Sequence, residues 1–383
     1  MKLPDGASPR SLAHLTQHAR IIVCCGAGGV GKTTTAASLA IAAAQLGRKV
    51  LVLTIDPSKR LAEALGVTRN PPRPVPLPDR YQAAAGIEAP GSLETWMLDP
   101  KLVSDQAVRH FAKSEEAANA ILGNRIYQQA TAIVAGLHEY TAMKALHGFI
   151  TEGRYELVVL DTPPSRNALD FLDAPSRLAR FLDGPVFKLF LPKEGSLVAR
   201  AASRLVNRVM HSVFGHEFAT ELTQFFAVFS ELFGSLNSDL QDMRTLMTGP
   251  DVGFVLVSSP SPEALTEAHF FQDRIRQLEL PFAGFVLNRS CARNEHLSFP
   301  DPAHFAGGAS AETVSAVEKL KVLARASHLQ SMRDKGVLAD LALRAGGEGF
   351  AMALPSLDGG ASDVGNLVAL AKTVLDERRS GPR

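Results

Sequence analysis

Residues Ile21–Gly47 read IIVCCGAGGVGKTTTAASLAIAAAQLG, and this stretch decides the fold. A short apolar run, Ile21–Cys25, leads into Gly26, Gly28, Gly29, Val30 and Gly31, then Lys32, Thr33 and Thr34. An alanine-rich segment of high helix propensity follows and closes at Gly47. Strand, glycine-rich turn and helix, in this order, carry the G-x-x-x-x-G-K-[ST] spacing of a phosphate-binding loop. Glycines let successive backbone N–H groups converge on closely spaced anionic oxygens with no Cβ in the way. The helix start adds unsatisfied N–H groups and the positive end of its dipole. Lys32 is placed to reach the β- and γ-phosphates of a triphosphate, and the Thr33 hydroxyl to ligate magnesium.

Outward from the loop, apolar runs alternate with helical patterns. Lys49–Ile55 (KVLVLTI) reads as a buried parallel strand, stopped by Asp56-Pro57. Asp56 therefore falls at the C-terminal edge of a strand, where ligands of open α/β sheets sit; it also suits the N-cap of a helix over Ser58–Leu65. Arg69–Pro78 is a proline-rich connection. Ser92–Leu98 reads as a further strand, and Lys101 to about Gly153 as mostly helix with breaks near Gly123 and Gly136. Glu156–Asp161 (ELVVLD) is a buried strand whose terminal Asp161 fits the carboxylate that helps hold magnesium. Strands over Val252–Val257, Phe282–Leu287 and Gly349–Leu354 then alternate with helices over Pro262–Leu280, Ala311–Arg344 and Asp363–Leu375. This predicts a single α/β domain over 1–383, a P-loop NTPase with a mostly parallel sheet flanked by helices. A helical subdomain is inserted, contributed by about 101–150 and 165–250.

That insert has its own composition. Ten of the 20 phenylalanines fall between Phe171 and Phe233, and Phe214, Phe218, Leu222, Phe225, Phe226, Phe229 and Phe233 recur at helical spacing. Such a wide apolar face serves either a helical layer packed on itself or a groove for an apolar segment of another protein; periodicity alone does not separate the two.

Charge and cysteine content bound the rest. A formal net charge of +1 gives no electrostatic reason to expect nucleic acid, and any membrane contact is indirect. No run approaches the ~18 apolar residues of a spanning helix. Three cysteines, Cys24, Cys25 and Cys291, make no disulfide framework, which points to a reducing cytoplasm. Adjacent strand residues face opposite ways, so Cys24 and Cys25 read as buried structural thiols, as does Cys291, and not as a metal site.

In this order and spacing, GAGGVGKTTTA, LTIDP, VVLDTPPSRNALDFLDAP, VLNR and ALP resemble the ArsA-type ATPases, the family of arsenite-pump and tail-anchored-protein-targeting ATPases. The resemblance covers nearly the whole chain. It implies ATP and magnesium as ligands, with Gly28 to Thr34 cradling the phosphates and Lys32 contacting them. It also implies that Asp56 orients the attacking water, Asp161 senses the γ-phosphate and magnesium, Asn288 contacts adenine and Pro355 lies near the base. Glu139 matches an acidic nucleotide-responsive position. The implied function is nucleotide-driven dimer rearrangement coupled to a hydrophobic client, in a homodimer or a heterodimer with a paralogous ATPase. The alternatives are an ATP-switched positioning protein, like the partitioning and septum-placing ATPases, and the ATPase subunit of an arsenite pump.

Two departures bear on mechanism. The family carries a second loop lysine that reaches across the dimer, and that position is Ala27 here. Lys59, Arg60 and Arg166, which follow the two switch aspartates, are candidate substitutes, as is a cation from a paralogous partner; without one, hydrolysis is expected to be slow. The chain also has no C-x-x-C, so the zinc-bridged dimer of the tail-anchor ATPases is unavailable.

Overall fold

The structure is a computed structural model. It describes residues 11–55, 65, 73–98, 101, 105, 108–109, 114–124, 127–128, 137–163, 221–222, 236–294, 310–347, 349–357 and 364–376. Asp56, Lys59, Arg60, Arg166 and the ten phenylalanines from Phe171 to Phe233 lie outside the described residues, as does the side chain of Glu139.

Eight strands form one sheet: β1 (Ile21–Cys25), β2 (Lys49–Thr54), β3 (Val75–Pro76), β4 (Ser92–Met97), β5 (Leu157–Asp161), β6 (Val252–Ser258), β7 (Phe282–Ser290) and β8 (Phe350–Pro355). Their order is β3-β4-β2-β5-β1-β6-β7-β8, and every pairing is parallel except β3 with β4. The order reverses at β1. Strands made before residue 162 lie on one side of it and those made afterwards on the other. The C-terminal end of a strand at such a reversal opens a crevice, and here that end runs into the glycine loop.

The sheet is buried on both faces, which is why its strands read as unbroken apolar runs. On one face Val23, Cys25, Leu53, Leu160 and Leu256 pack under α5 (Leu137–Glu152), α6 (Leu236–Met247), α7 (Pro262–Gln277) and the C-terminal end of α8 (Ala311–Ala345). On the other, Ile22, Cys24, Val52, Val159 and Val257 meet α1 (Leu12–His18), α2 (Lys32–Gln45) and α9 (Val364–Asp376). Helix α2 owes its alanines to this position. It is buried all round from Thr35 to Ala44, and a Cβ on Gly91 would lie 2.1 Å from the Ala44 carbonyl oxygen. Larger side chains would hold the helix off the sheet. Two short helices complete the described set, α3 (Asp79–Ala84) and α4 (Glu115–Leu122).

Three boundaries differ from the sequence reading. The proline-rich connection ends in β3, an antiparallel edge strand two residues long. A proline fits an edge, where its missing N–H breaks no interior ladder. Strand β7 runs three residues past Leu287, through a register shift at Asn288-Arg289. The helix after β6 stops at Gln277, short of Leu280.

Candidate functional site

Three strand ends and one helix start meet at the C-terminal edge of the sheet. Register sets Cys24 of β1 beside Asp161 of β5, and Asp161 beside Thr54 of β2. Asp161 is fully buried. Its Oδ2 accepts from the Thr33 hydroxyl at 2.7 Å and from the Thr54 hydroxyl at 3.1 Å. One residue on, the Thr162 hydroxyl donates to the Cys24 carbonyl at 2.8 Å, fixing the chain as it leaves β5. Thr54 and Thr162 were not singled out in the sequence. Their signal lay in standing within two residues of the two strand-end aspartates, in LTIDP and LDTPP.

The loop itself is held by close backbone approach. Gly26 has φ +151°, and a Cβ there would lie 2.1 Å from the Val257 carbonyl oxygen of β6. Gly29 (φ +77°) and Gly31 (φ +94°) adopt left-handed conformations that favour glycine. The loop has two sides. Ala27, Val30 and Lys32 are buried, whereas Gly28 and Gly29 face solvent and Gly31, Thr33 and Thr34 are half-buried. The Lys32 ammonium donates to the Gly26 carbonyl at 3.0 Å and the Ala27 carbonyl at 2.8 Å, so the lysine lies folded along the loop.

Helix α2 begins differently from several of its neighbours. Helices α1, α7 and α8 each open with a serine, Ser11, Ser261 and Ser310, whose hydroxyl accepts from an amide of the first turn. Helix α2 opens on left-handed Gly31 with no side-chain cap. Its first amides are left for another acceptor, which an anion provides.

The remaining predicted residues are placed as follows. Asn288, 4% exposed, donates through Nδ2 to the Val30 carbonyl at 2.8 Å. It lies so close to the loop that a Cβ on Gly31 would fall 2.1 Å from that nitrogen. Pro355 ends β8 beside Ser290 of β7, at the same sheet edge but with β7 between it and β6. The structure thus brings together the loop, Asp161 and Asn288; Asp56 lies outside the described residues. Hard oxygen donors suit magnesium, and the Thr33 hydroxyl and Asp161 carboxylate are such a pair at one point, so these residues fit that ion.

Cys24 and Cys25 are fully buried in opposite faces of the sheet, as the strand period requires. Burial pushes both thiols up, Cys25 to about 12. Cys291 differs from expectation: it is half-buried, because it follows the strand end instead of lying within the sheet. Among the described residues no three His, Cys, Asp or Glu side chains converge as a metal site, and no helix is long and apolar enough to cross a membrane.

A family model described as anion-transporting ATPase matches residues 19–298, from the strand before the loop to just past Asn288. The chain belongs to the anion-transporting ATPase family. Among curated relatives, the putative arsenical pump-driving ATPase 1 of Aquifex aeolicus is 24% identical over 65% of this chain and 58% of its own length. An uncharacterized protein of Streptomyces coelicolor is 29% identical over 63% of this chain and 55% of its own. The ATPase get3 of Schizosaccharomyces pombe is 26% identical over 73% of this chain and 77% of its own. The chain spans little more than half the length of the first of these relatives. The matched segment spans the glycine loop, Asp161 and Asn288, which the fold brings together at this sheet edge.

Proposed function

We infer that this chain binds ATP with magnesium and hydrolyses it, and that its nucleotide state sets the arrangement of a dimer engaging a hydrophobic client or partner. The observation that carries the reading is the contact of Thr33 with Asp161 at the uncapped start of α2. One oxygen of Asp161 is shared by a hydroxyl from the loop helix and one from β2. A change at the phosphate end of the site therefore reaches both the segment after β2 and the segment after β5. These are the segments in which nucleotide switches order and release.

The residues divide the work. The α2 amides and Lys32 bind and orient the phosphates. Lys32 exchanges its two carbonyl partners, Gly26 and Ala27, for phosphate oxygens as the ligand enters. Thr33 and Asp161 would hold magnesium, which would supply positive charge to offset the charge developing on the phosphate oxygens. Asp56 orients the attacking water. The trans cation is the part this chain does not supply from its loop: where the family resemblance implies a second lysine it has Ala27, 8% exposed and packed in the apolar cluster of α2.

Single-turnover hydrolysis in magnesium tests the reading, with the chain alone and mixed with a paralogous family member, and with Lys32→Ala as control. ATP binding with slow turnover by the chain alone, accelerated by the partner, is expected. Failure to bind ATP overturns the nucleotide assignment, and fast turnover by a strict monomer overturns the dimer.

A further inference from the structure

Behind the loop, the end of β7 makes contacts on both faces of the sheet. In a regular strand, residues two apart point the same way. Asn288 and Ser290 do not. Asn288 bonds Val30 at the start of α2, on the face where Val286 packs with that helix. The Ser290 hydroxyl bonds Asp334 of α8 at 3.2 Å; α8 packs on the opposite face, through Leu341 and Ala345. The reversal comes from one extra residue. Leu287 pairs with Ala353 and Ser290 with Pro355, so three steps along β7 match two along β8. The surplus is absorbed at exposed Arg289, a non-glycine residue at φ +56°. Bulges of this kind re-aim a side chain, and a left-handed non-glycine residue persists only where its surroundings hold it.

What holds it is Asp334. This carboxylate is 1% exposed. Its Oδ2 accepts from the Cys291 amide at 2.6 Å and from the Ser290 hydroxyl, and its Oδ1 from the Gln330 side chain at 2.8 Å. Ser290 in turn accepts from the Ala292 amide at 3.0 Å, so its hydroxyl is used in both directions. The clamp fixes the two residues immediately after the bulge, and the bulge fixes Asn288 against the loop.

We propose that Asp334 is a positioning residue for the nucleotide loop: it holds the β7 bulge that aims Asn288 at Val30 and Gly31. The proposal deepens the nucleotide reading and rests on it for its consequence, but its structural half does not need a nucleotide. Helix α8, read from the sequence only as a helix over Ala311–Arg344, becomes the outer support of the site.

The test compares Asp334→Ala, Asp334→Asn, Ser290→Ala, Asn288→Ala and the double variant Asp334→Ala/Asn288→Ala. In nucleotide-free protein, Asp334→Ala raises amide hydrogen exchange across residues 28–35 while peptides from β4 keep wild-type protection. In ATP titrations it weakens binding about tenfold, with the rate of bound ATP changed less. Asp334→Asn keeps an acceptor for the Cys291 amide and restores most of the affinity. Ser290→Ala, which leaves the carboxylate in place, shows a smaller shift in the same direction and serves if Asp334→Ala does not fold. The double variant binds no worse than Asn288→Ala alone. Unchanged loop exchange and affinity in a folded Asp334 variant, or additive losses in the double variant, overturn the proposal. If the wild-type chain binds no ATP, the functional reading fails while the exchange measurement still decides the positioning role.

Discussion

The Thr33 hydroxyl donates to Oδ2 of Asp161 at 2.7 Å, tying the first turn of α2 to the end of β5 across 128 positions of sequence. The pair is a hydroxyl and a carboxylate at the place where magnesium and phosphate are proposed to meet. Thr33→Ala removes the hydroxyl and leaves Asp161 with Thr54. It is expected to weaken magnesium-dependent ATP binding about 10- to 100-fold. Titration calorimetry with and without magnesium checks this, since the variant should lose most of the magnesium increment and little of the metal-free affinity.

Lys32 is buried yet satisfied by two carbonyls of its own loop. Lys32→Ala strands the Gly26 and Ala27 carbonyls as well as removing the phosphate contact. We expect a loss of ~1–3 kcal/mol in nucleotide-free stability together with abolished stabilisation by ATP. Urea unfolding with and without ATP separates the two effects.

Gly31→Ala faces two obstacles. Its φ of +94° is strained for any side chain, and the new methyl would meet the Asn288 amide at 2.1 Å. A loss of ~1–3 kcal/mol is expected from the backbone alone, with more from the clash. Adding Asn288→Ala should recover the steric part only, so the double variant is more stable than Gly31→Ala but does not reach Asn288→Ala. Thermal unfolding of the four proteins completes the cycle.

Alkaline stability is set in part by buried thiols. The Cys25 thiol, ordinarily at 9.0, is pushed up to about 12, chiefly by burial, with Asp161 adding to the rise and Thr162 and Lys32 opposing it. The folded protein therefore keeps a proton that the unfolded chain releases above about pH 9. Stability is intact below that pH and falls between about pH 9 and 12, by up to ~4 kcal/mol for Cys25. Tyr127 and Tyr155 are also pushed up by burial, so the informative quantity is the difference between wild type and Cys25→Ala. The variant should lose less stability than wild type over that range. Half-buried Cys291 should be the first thiol to react with iodoacetamide in the folded chain.

The loop, the strands and the meeting of Thr33 with Asp161 were legible for a shared reason. Each is carried by short-range sequence: a fixed glycine spacing, an apolar run buried on both faces, an aspartate where the run stops. Strand β3 was not, because two residues with a proline look like a connection until an edge is present to pair with them. Asp334 was not, because it stands in a 35-residue helix rich in charge, and its burial depends on meeting a strand end 43 positions away. The bulge was hidden for a related reason. The sequence NRS after an apolar run resembles an ordinary strand end, and only the pairing of Ser290 with Pro355 reveals the extra residue.

The 258 positions that separate Val30 from Asn288 also set an order of events during synthesis. The glycine signature leaves the ribosome well before the strand end that packs on Gly26 and the asparagine that packs on Gly31. At roughly 5–20 residues per second, the interval is on the order of tens of seconds. A nascent chain that has not yet reached Asn288 thus displays the complete motif without its finished cradle. Nucleotide capture becomes a late event, and it reports that the far half of the sheet has arrived.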